Sequence, residues 1–276
     1  MIIFNVEIVN NSIYQSRFRW LSENTRAYRK PLKPLLMLRV LFLSFSILTC
    51  FFTRAQSPKL LVTPLTGSFY VFTTYHEYNG QTIPANGMYL VTPNGVVLFD
   101  TPWDTTQFQP LLDTIRTRHR QEVIMAFATH FHADRTAGLE WYRLHGIQTY
   151  TTRRTDEWSA KRGMKRANNL MDNDTTFRVN GFRFQTYYPG PGHAPDNIVI
   201  WFPKEKILYG GCLVKCATDT DLGNLSDANL ATYAQSIRNV LQHCPHAKYI
   251  IPGHGDWTNT RSLQHTLELA EAAGSH

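Results

Sequence analysis

Thr129-His130-Phe131-His132-Ala133-Asp134-Arg135, entered from the apolar run Val123-Ile124-Met125-Ala126-Phe127-Ala128, decides how this chain is read. Three good metal ligands fall within five residues, and a short continuous apolar run before them predicts a buried strand. A strand that ends in a His-x-His-x-Asp loop holds a metal ion at the edge of a sheet. Arg135 adds no ligand, because its guanidinium stays protonated and has no lone pair to give. The rest of the ligand set has to come from elsewhere in the chain.

Three other segments qualify. His193 stands in Pro189-Gly190-Pro191-Gly192-His193-Ala194-Pro195-Asp196-Asn197, Cys212 follows Tyr209-Gly210-Gly211, and His254 follows Ile251-Pro252-Gly253. Glycine-rich turns let the backbone approach closely and adopt positive φ, so each can aim a side chain inward. Imidazole, thiolate and carboxylate all suit zinc, and a catalytic zinc keeps about three protein ligands plus water. The six ligands divide into His130, His132 and His193 for one ion and Asp134, Cys212 and His254 for a second. The other histidines (His76, His119, His145, His243, His246, His265 and His276) are expected in surface or packing roles.

Composition narrows the class. Residues 1–55 hold eight of the 28 basic and two of the 21 acidic residues, so the formal charge of +7 falls to about +1 in the remainder. A nucleic-acid binder carries its positive charge on the folded part, and this chain does not. Met37-Leu38-Arg39 followed by Val40-Leu41-Phe42-Leu43-Ser44-Phe45-Ser46-Ile47-Leu48 and a small residue at Ala55 has the form of a secretory signal peptide. The run is shorter than the ~20 residues of a membrane span, and the context of Cys50 fits lipid modification poorly. We expect translation to start at Met37, residues 1–36 to be a non-native or untranslated extension, residues 37–55 to be the signal peptide, and residues 56–276 to form one exported, periplasmic domain. Three cysteines then remain, so at least one thiol is unpaired. Metal ligation accounts for Cys212. Cys216 and Cys244 are expected as buried small hydrophobes, with a disulfide between them the minor reading.

Downstream of Ala55 the pattern is mixed α/β without repeats. Strands are expected at Phe69–Phe72, Met88–Val91, 95–100, 123–128, 181–188, 197–202, 206–209 and 248–251. Helices are expected over 108–117, 136–144, 155–166, from Ser226 to about Leu241, and over 260–272. Tyr78-Asn79-Gly80 and Pro84-Ala85-Asn86-Gly87 read as turns. The order suits two sheets face to face with helices outside.

Taken together, these segments resemble the subclass B1 metallo-β-lactamases from about Leu61 to Ala270. The resemblance is carried by Leu98-Phe99-Asp100-Thr101-Pro102-Trp103, the 129–135 loop, Gly190 to Asn197, Gly210-Gly211-Cys212-Leu213-Val214-Lys215, Leu222-Gly223-Asn224 and Pro252-Gly253-His254-Gly255. Relatives in the wider superfamily carry a further histidine where this chain has Arg135 and lack a cysteine at the place of Cys212.

The resemblance implies an αββα sandwich of two mixed sheets and two Zn2+ ions in a shallow groove. A hydroxide on the first zinc, its pKa lowered to roughly 7, would attack the lactam carbonyl while Asp134 orients it. The second zinc would stabilise the departing nitrogen. Lys215 would pair with the substrate carboxylate, and Asn224 would donate to the lactam carbonyl oxygen. A mobile loop over about Thr74 to Ala85 would cover the substrate with Tyr75, Tyr78 and Ile83, above a floor that includes Trp103. Arg135 would anchor the metal loop. The implied activity covers penicillins, cephalosporins and carbapenems, with monobactams poor substrates; a monomer is the default expectation, and the charge distribution gives no nucleic-acid partner. The alternatives are a lactone or thioester hydrolase of the same superfamily and a non-catalytic zinc-binding protein.

Overall fold

The structure, a computed structural model, describes residues 60–274; residues 1–36, the signal-peptide segment, Cys50 and His276 lie outside the described residues. Seven strands make one sheet in chain order: β1 (Leu61–Thr66), β2 (Phe69–Tyr78), β3 (Gln81–Thr92), β4 (Gly95–Phe99), β5 (Val123–Phe127), β6 (Gln148–Thr152) and β7 (Asn169–Met171). Strands β1 to β4 pair antiparallel and β4 to β7 parallel. The second sheet contains β8 (Thr176–Val179), β9 (Phe182–Tyr187), β10 (Val199–Phe202), β11 (Ile207–Gly211) and β12 (Tyr249–Pro252), with β11 and β12 parallel. The helices are α1 (Phe108–His119), the single turn α2 (Ala133–Thr136), α3 (Leu139–Leu144), α4 (Arg153–Arg162), α5 (Leu230–His243) and α6 (Ser262–Gly274).

The layering follows from strand β4, Gly95-Val96-Val97-Leu98-Phe99, which is buried along its whole length. Side chains alternate across a strand, so Val97 and Phe99 enter the core between the sheets while Val96 and Leu98 pack beneath α1, against Leu111 and Ile115. An all-apolar strand is what two covered faces require. Between the sheets, Phe99 and Phe127 meet Phe184 edge-on at 5.2 and 5.3 Å. On the far side, Leu208 and Ile250 pack with Ile237, Val240 and Leu263 of α5 and α6. This is the αββα sandwich expected from the sequence. Each fully buried Leu, Ile, Val or Phe contributes roughly 1.5–3 kcal/mol.

Several local expectations are corrected. The loop expected over Thr74 to Ala85 is a strand hairpin, with β2 and β3 paired out to Tyr78 and Gln81 across the expected turn at Asn79-Gly80. Both turn residues take positive φ, 51° and 75°, the combination a two-residue hairpin turn demands. Pro84 to Gly87 is therefore strand rather than turn, its prolyl nitrogen notwithstanding. The helix expected over 136–144 is broken at Gly138, where a Cβ would stand 2.8 Å from Thr101 Cβ. Helix α4 starts at Arg153 and stops at Arg162, because Gly163 takes the left-handed cap at φ 67°. The helix expected from Ser226 begins only at Leu230. Cys216 and Cys244 are both buried and free, without a disulfide. His76, His145 and His243 stack on aromatic rings and His119 lies tilted against Tyr70, as packing histidines do. Among the described residues no helix is long and apolar enough to cross a membrane.

Candidate metal centre

The loops that leave β5, β11 and β12 and the loop between β9 and β10 carry the candidate ligands, beside Asp100 at the end of β4. Asp100, just past β4, accepts hydrogen bonds from the Thr129 amide (2.7 Å) and the Thr129 hydroxyl (2.9 Å), fixing the start of the metal loop. The Ile198 amide donates to Thr129 O at 2.9 Å and joins that loop to the His193 turn. Asn197 shapes the turn itself: Oδ1 accepts from the Gly192 and Ala194 amides, and Nδ2 donates to Gly190 O. The Cys212 and His254 turns lie against each other. The Gly253 amide donates to Gly211 O at 2.7 Å, and a Cβ on Gly253 would meet Cys212 N at 2.7 Å and Sγ at 2.8 Å. Only glycine fits there.

All six expected ligands are brought together. His132 Nδ1 lies 3.0 Å from His130 Nε2 and 3.2 Å from His193 Nε2. Asp134 Oδ2, Cys212 Sγ and His254 Nε2 form a second triangle with sides of 3.1, 3.2 and 3.4 Å. Donor atoms on a tetrahedral zinc stand about 3.3–3.6 Å apart at ordinary bond lengths, so both sets are slightly tighter than a filled zinc site and need open by only about a few tenths of an ångström to take an ion. Cys212 also lies within 4.8 Å of His130 and His193, and Asp134 within 4.8 Å of His130 and His132, so the sets share one cluster.

Proton counting supports the fit. His132 Nε2 faces the Asp227 carboxylate at 3.0 Å, which places its proton there and leaves a lone pair on Nδ1. That lone pair can accept from one neighbouring imidazole but not from both, so a cation is the natural third party. Burial pushes the imidazoles of both His130 and His193 well below the usual histidine range. They are neutral, the form that binds metal.

The second triangle is organised by Arg135, which is 1% exposed. Its Nε donates to Asp134 Oδ2 (3.0 Å) and Cys212 Sγ (3.1 Å), Nη1 to Asn86 O (2.6 Å), and Nη2 to Gly253 O (2.8 Å). Burial works to raise the Asp134 carboxyl, but Arg135 and His254 hold it well below the usual carboxylate range. Burial pushes the Cys212 thiol up while Arg135 pulls it back. Metal binding at Cys212 therefore releases a proton into a site with a fixed positive charge beside the sulfur.

The cluster opens into a groove of about 760 Å³ whose lining includes Tyr78, Ile83, Trp103, Lys215 and Asn224. Lys215 is 8% exposed, its backbone amide fixed to Thr266 Oγ1 at 2.8 Å. Trp103 stacks under His76 at 4.3 Å and beside Tyr78 at 5.6 Å. Tyr75 does not line the groove. It stands three residues from Tyr78 on a strand, hence on the opposite face, and its amide donates to Gln107 Oε1 at 3.0 Å.

Sequence reading missed Asn86, Asp100, Tyr209 and Asp227. Asp100 alone carried a local signal, as the polar residue that closes an apolar strand. Tyr209 Oη donates to Asp100 Oδ2 at 2.7 Å and lies 2.9 Å from Asn86 O.

Two sheets face to face, with six His, Asp and Cys side chains able to hold metal at one edge of an open groove, are the arrangement of a metal-dependent enzyme. The chain matches the family described as the metallo-β-lactamase superfamily over residues 82–254. It is 42% identical over 214 residues to the metallo-β-lactamase type 2 of Elizabethkingia meningoseptica, covering 78% of this chain and 86% of that one. It is 39% identical over 229 residues to metallo-β-lactamase IND-1 of Chryseobacterium indologenes, covering 83% and 96%. The solved metallo-β-lactamase from Pontibacter korlensis superposes with a TM-score of 0.74 at 35% identity, covering 77% of this chain and 99% of that one. The chain belongs to the metallo-β-lactamase superfamily, among the metallo-β-lactamases of subclass B1.

Proposed function

We propose that this protein hydrolyses the β-lactam amide bond of penicillins, cephalosporins and carbapenems, conferring resistance to them, with two Zn2+ ions held by His130, His132 and His193 and by Asp134, Cys212 and His254. The observation that carries the reading is the pair of three-ligand triangles opening on a groove that also contains Lys215. Structural zinc sites are closed by four protein ligands, whereas three leave a position open. That favours catalysis over metal storage, and Cys212 beside Arg135 favours a lactam over a lactone or thioester substrate.

Zinc in these sites supplies Lewis acidity and a water-derived nucleophile near neutral pH. The chain's own groups do the rest. The Lys215 ammonium pairs with the carboxylate that bicyclic β-lactams carry, fixing the ring over the cluster. Asn224 Oδ1 accepts the Ser226 amide at 3.0 Å, so its NH2 end is the one that donates to the lactam carbonyl oxygen. Asp134, held ionised at the base of the groove, orients the attacking water. Tyr78 and Ile83 on the hairpin cover the apolar body of the substrate, and Trp103 supports them. We further propose that the protein is exported to the periplasm through residues 37–55 and acts as a monomer.

The test is a panel of one penicillin, one cephalosporin, one carbapenem and one monobactam with the zinc-loaded protein. Ring opening of the first three and poor turnover of the last is expected. A zinc-loaded protein that opens none of the first three overturns the proposal.

A further inference from the structure

The geometry points to Arg162 as a positioning residue for the three-histidine site, acting through Asp227; this rests on His130, His132 and His193 being a ligand set. His132 turns Nδ1 toward the other two imidazoles and Nε2 outward, 3.0 Å from Asp227 Oδ2. The other carboxylate oxygen of Asp227 accepts from Arg162 Nη2 at 2.5 Å. The guanidinium lies 5.7 Å from the ring centre of Trp158 and 5.9 Å from that of Phe131, and these two rings stack at 5.7 Å. Phe131 is the residue between His130 and His132, so the arginine rests on the metal loop that it serves.

Each contact has a consequence. The carboxylate fixes the proton of His132 on Nε2 and so leaves the lone pair on Nδ1 for the metal. The guanidinium holds that carboxylate in place. Arg162 is the last residue of α4, where the helix carbonyls favour a cation. An isolated surface pair would be worth little, but here the acid is 12% exposed and engages two groups at once, while the arginine is 48% exposed. Asp227 also belongs to the segment that carries Asn224: Ser226 Oγ donates to Asp227 Oδ2 at 3.3 Å, and the Ser226 amide donates to Asn224 Oδ1. One arginine thus fixes a metal ligand and a substrate-facing loop through the same carboxylate.

The test is competition for Zn2+ between the metal-free protein and a chromophoric chelator. The variants are Arg162→Ala, Arg162→Lys, Asp227→Asn and the double variant Arg162→Ala/Asp227→Asn. Loss of a partner beyond a ligand typically lowers metal affinity about 10–100-fold. Asp227→Asn is expected in that range, and Arg162→Ala, one step further out, at roughly 3–10-fold, with the melting temperature of the metal-free protein unchanged. Arg162→Lys should recover part of the loss, and Arg162→Ala should add nothing in the Asp227→Asn background. Wild-type affinity in Arg162→Ala, or the same loss with and without Asp227, overturns the inference. Metal affinity is read without turnover, so a protein that binds zinc in this pattern but opens no β-lactam defeats the proposed function alone.

Discussion

Arg135 and Cys212, 77 positions apart in the chain, meet at 3.1 Å, Nε to Sγ. The same nitrogen reaches Asp134 Oδ2 at 3.0 Å, so the residue in the metal loop that cannot bind a metal holds two that can. Replacing it would strand Asp100 and Asp134, both buried carboxylates. Arg135→Ala is expected to lose about 3–5 kcal/mol of stability, the usual penalty for breaking a buried pair from one side. Arg135→Lys keeps the charge but loses the planar fork and should recover only part. Urea unfolding of the metal-free proteins reads both, and a variant as stable as wild type would contradict the role assigned to the guanidinium.

Cys212→Ser keeps the small side chain and removes the thiolate. The expected result is a native fold by circular dichroism, a bound-zinc stoichiometry that falls from two to one at equilibrium dialysis, and a large loss of turnover. A variant that retains both ions would show that the second triangle is not a metal site.

Much of this was legible in the sequence, for a physical reason. His130, His132 and Asp134 are neighbours in the chain, and His193, Cys212 and His254 each follow a glycine that a close backbone approach requires. Contacts that close through the fold left no local mark. Asn86 sits between a proline, an alanine and a glycine that together look like a turn, yet pairing with β2 holds it in a strand. Asp227 lies where a helix start is expected, because its polar neighbours imitate a cap; the chain instead spends it on His132. The short edge strands β1, β7 and β8 carry too few apolar residues to announce themselves. Tyr75 and Tyr78 looked alike until strand parity placed them on opposite faces.

Asn86 staples the hairpin to the His254 turn. Its Nδ2 donates to Pro252 O (3.1 Å) and Gly255 O (2.9 Å), and its amide donates to Gly253 O (2.8 Å). Asn86→Ala removes the side-chain donor from the buried Pro252 carbonyl, at about 1–3 kcal/mol, and from the half-buried Gly255 carbonyl, and so loosens the His254 turn. Thermal unfolding should show the loss, and zinc competition should show weaker binding at the second site only.

Strand parity separates the two hairpin tyrosines. Tyr78→Ala removes an aromatic contact with Trp103 and the substrate, of about 0.5–1.5 kcal/mol, which corresponds to roughly a 2–10-fold rise in KM. Tyr75→Ala should leave KM near the wild-type value. Steady-state kinetics on one cephalosporin would decide, and equal effects would contradict the placement of the hairpin.

Asp196 is fully buried, and burial pushes its carboxyl up to about 7. Its unfolded value is near the ordinary 3.8, so between about pH 4 and 7 the native state holds a proton that the unfolded state has lost. By linkage this group costs stability progressively as pH rises through that window, and the penalty is complete above about 7. Asp196→Asn should therefore gain stability relative to wild type as pH rises from 4 to 7, by a few kcal/mol. Urea midpoints at pH 4.5 and 7.5 measure it. A difference between the proteins that does not change with pH would contradict the buried, protonated state.

The most direct test is hydrolysis of a chromogenic cephalosporin as zinc is removed by a chelator and then returned in counted equivalents. Turnover should vanish with the metal and recover as zinc refills the sites, saturating near two equivalents per chain. Turnover that persists in the fully chelated protein, or none from the protein saturated with zinc, would contradict a dizinc β-lactamase.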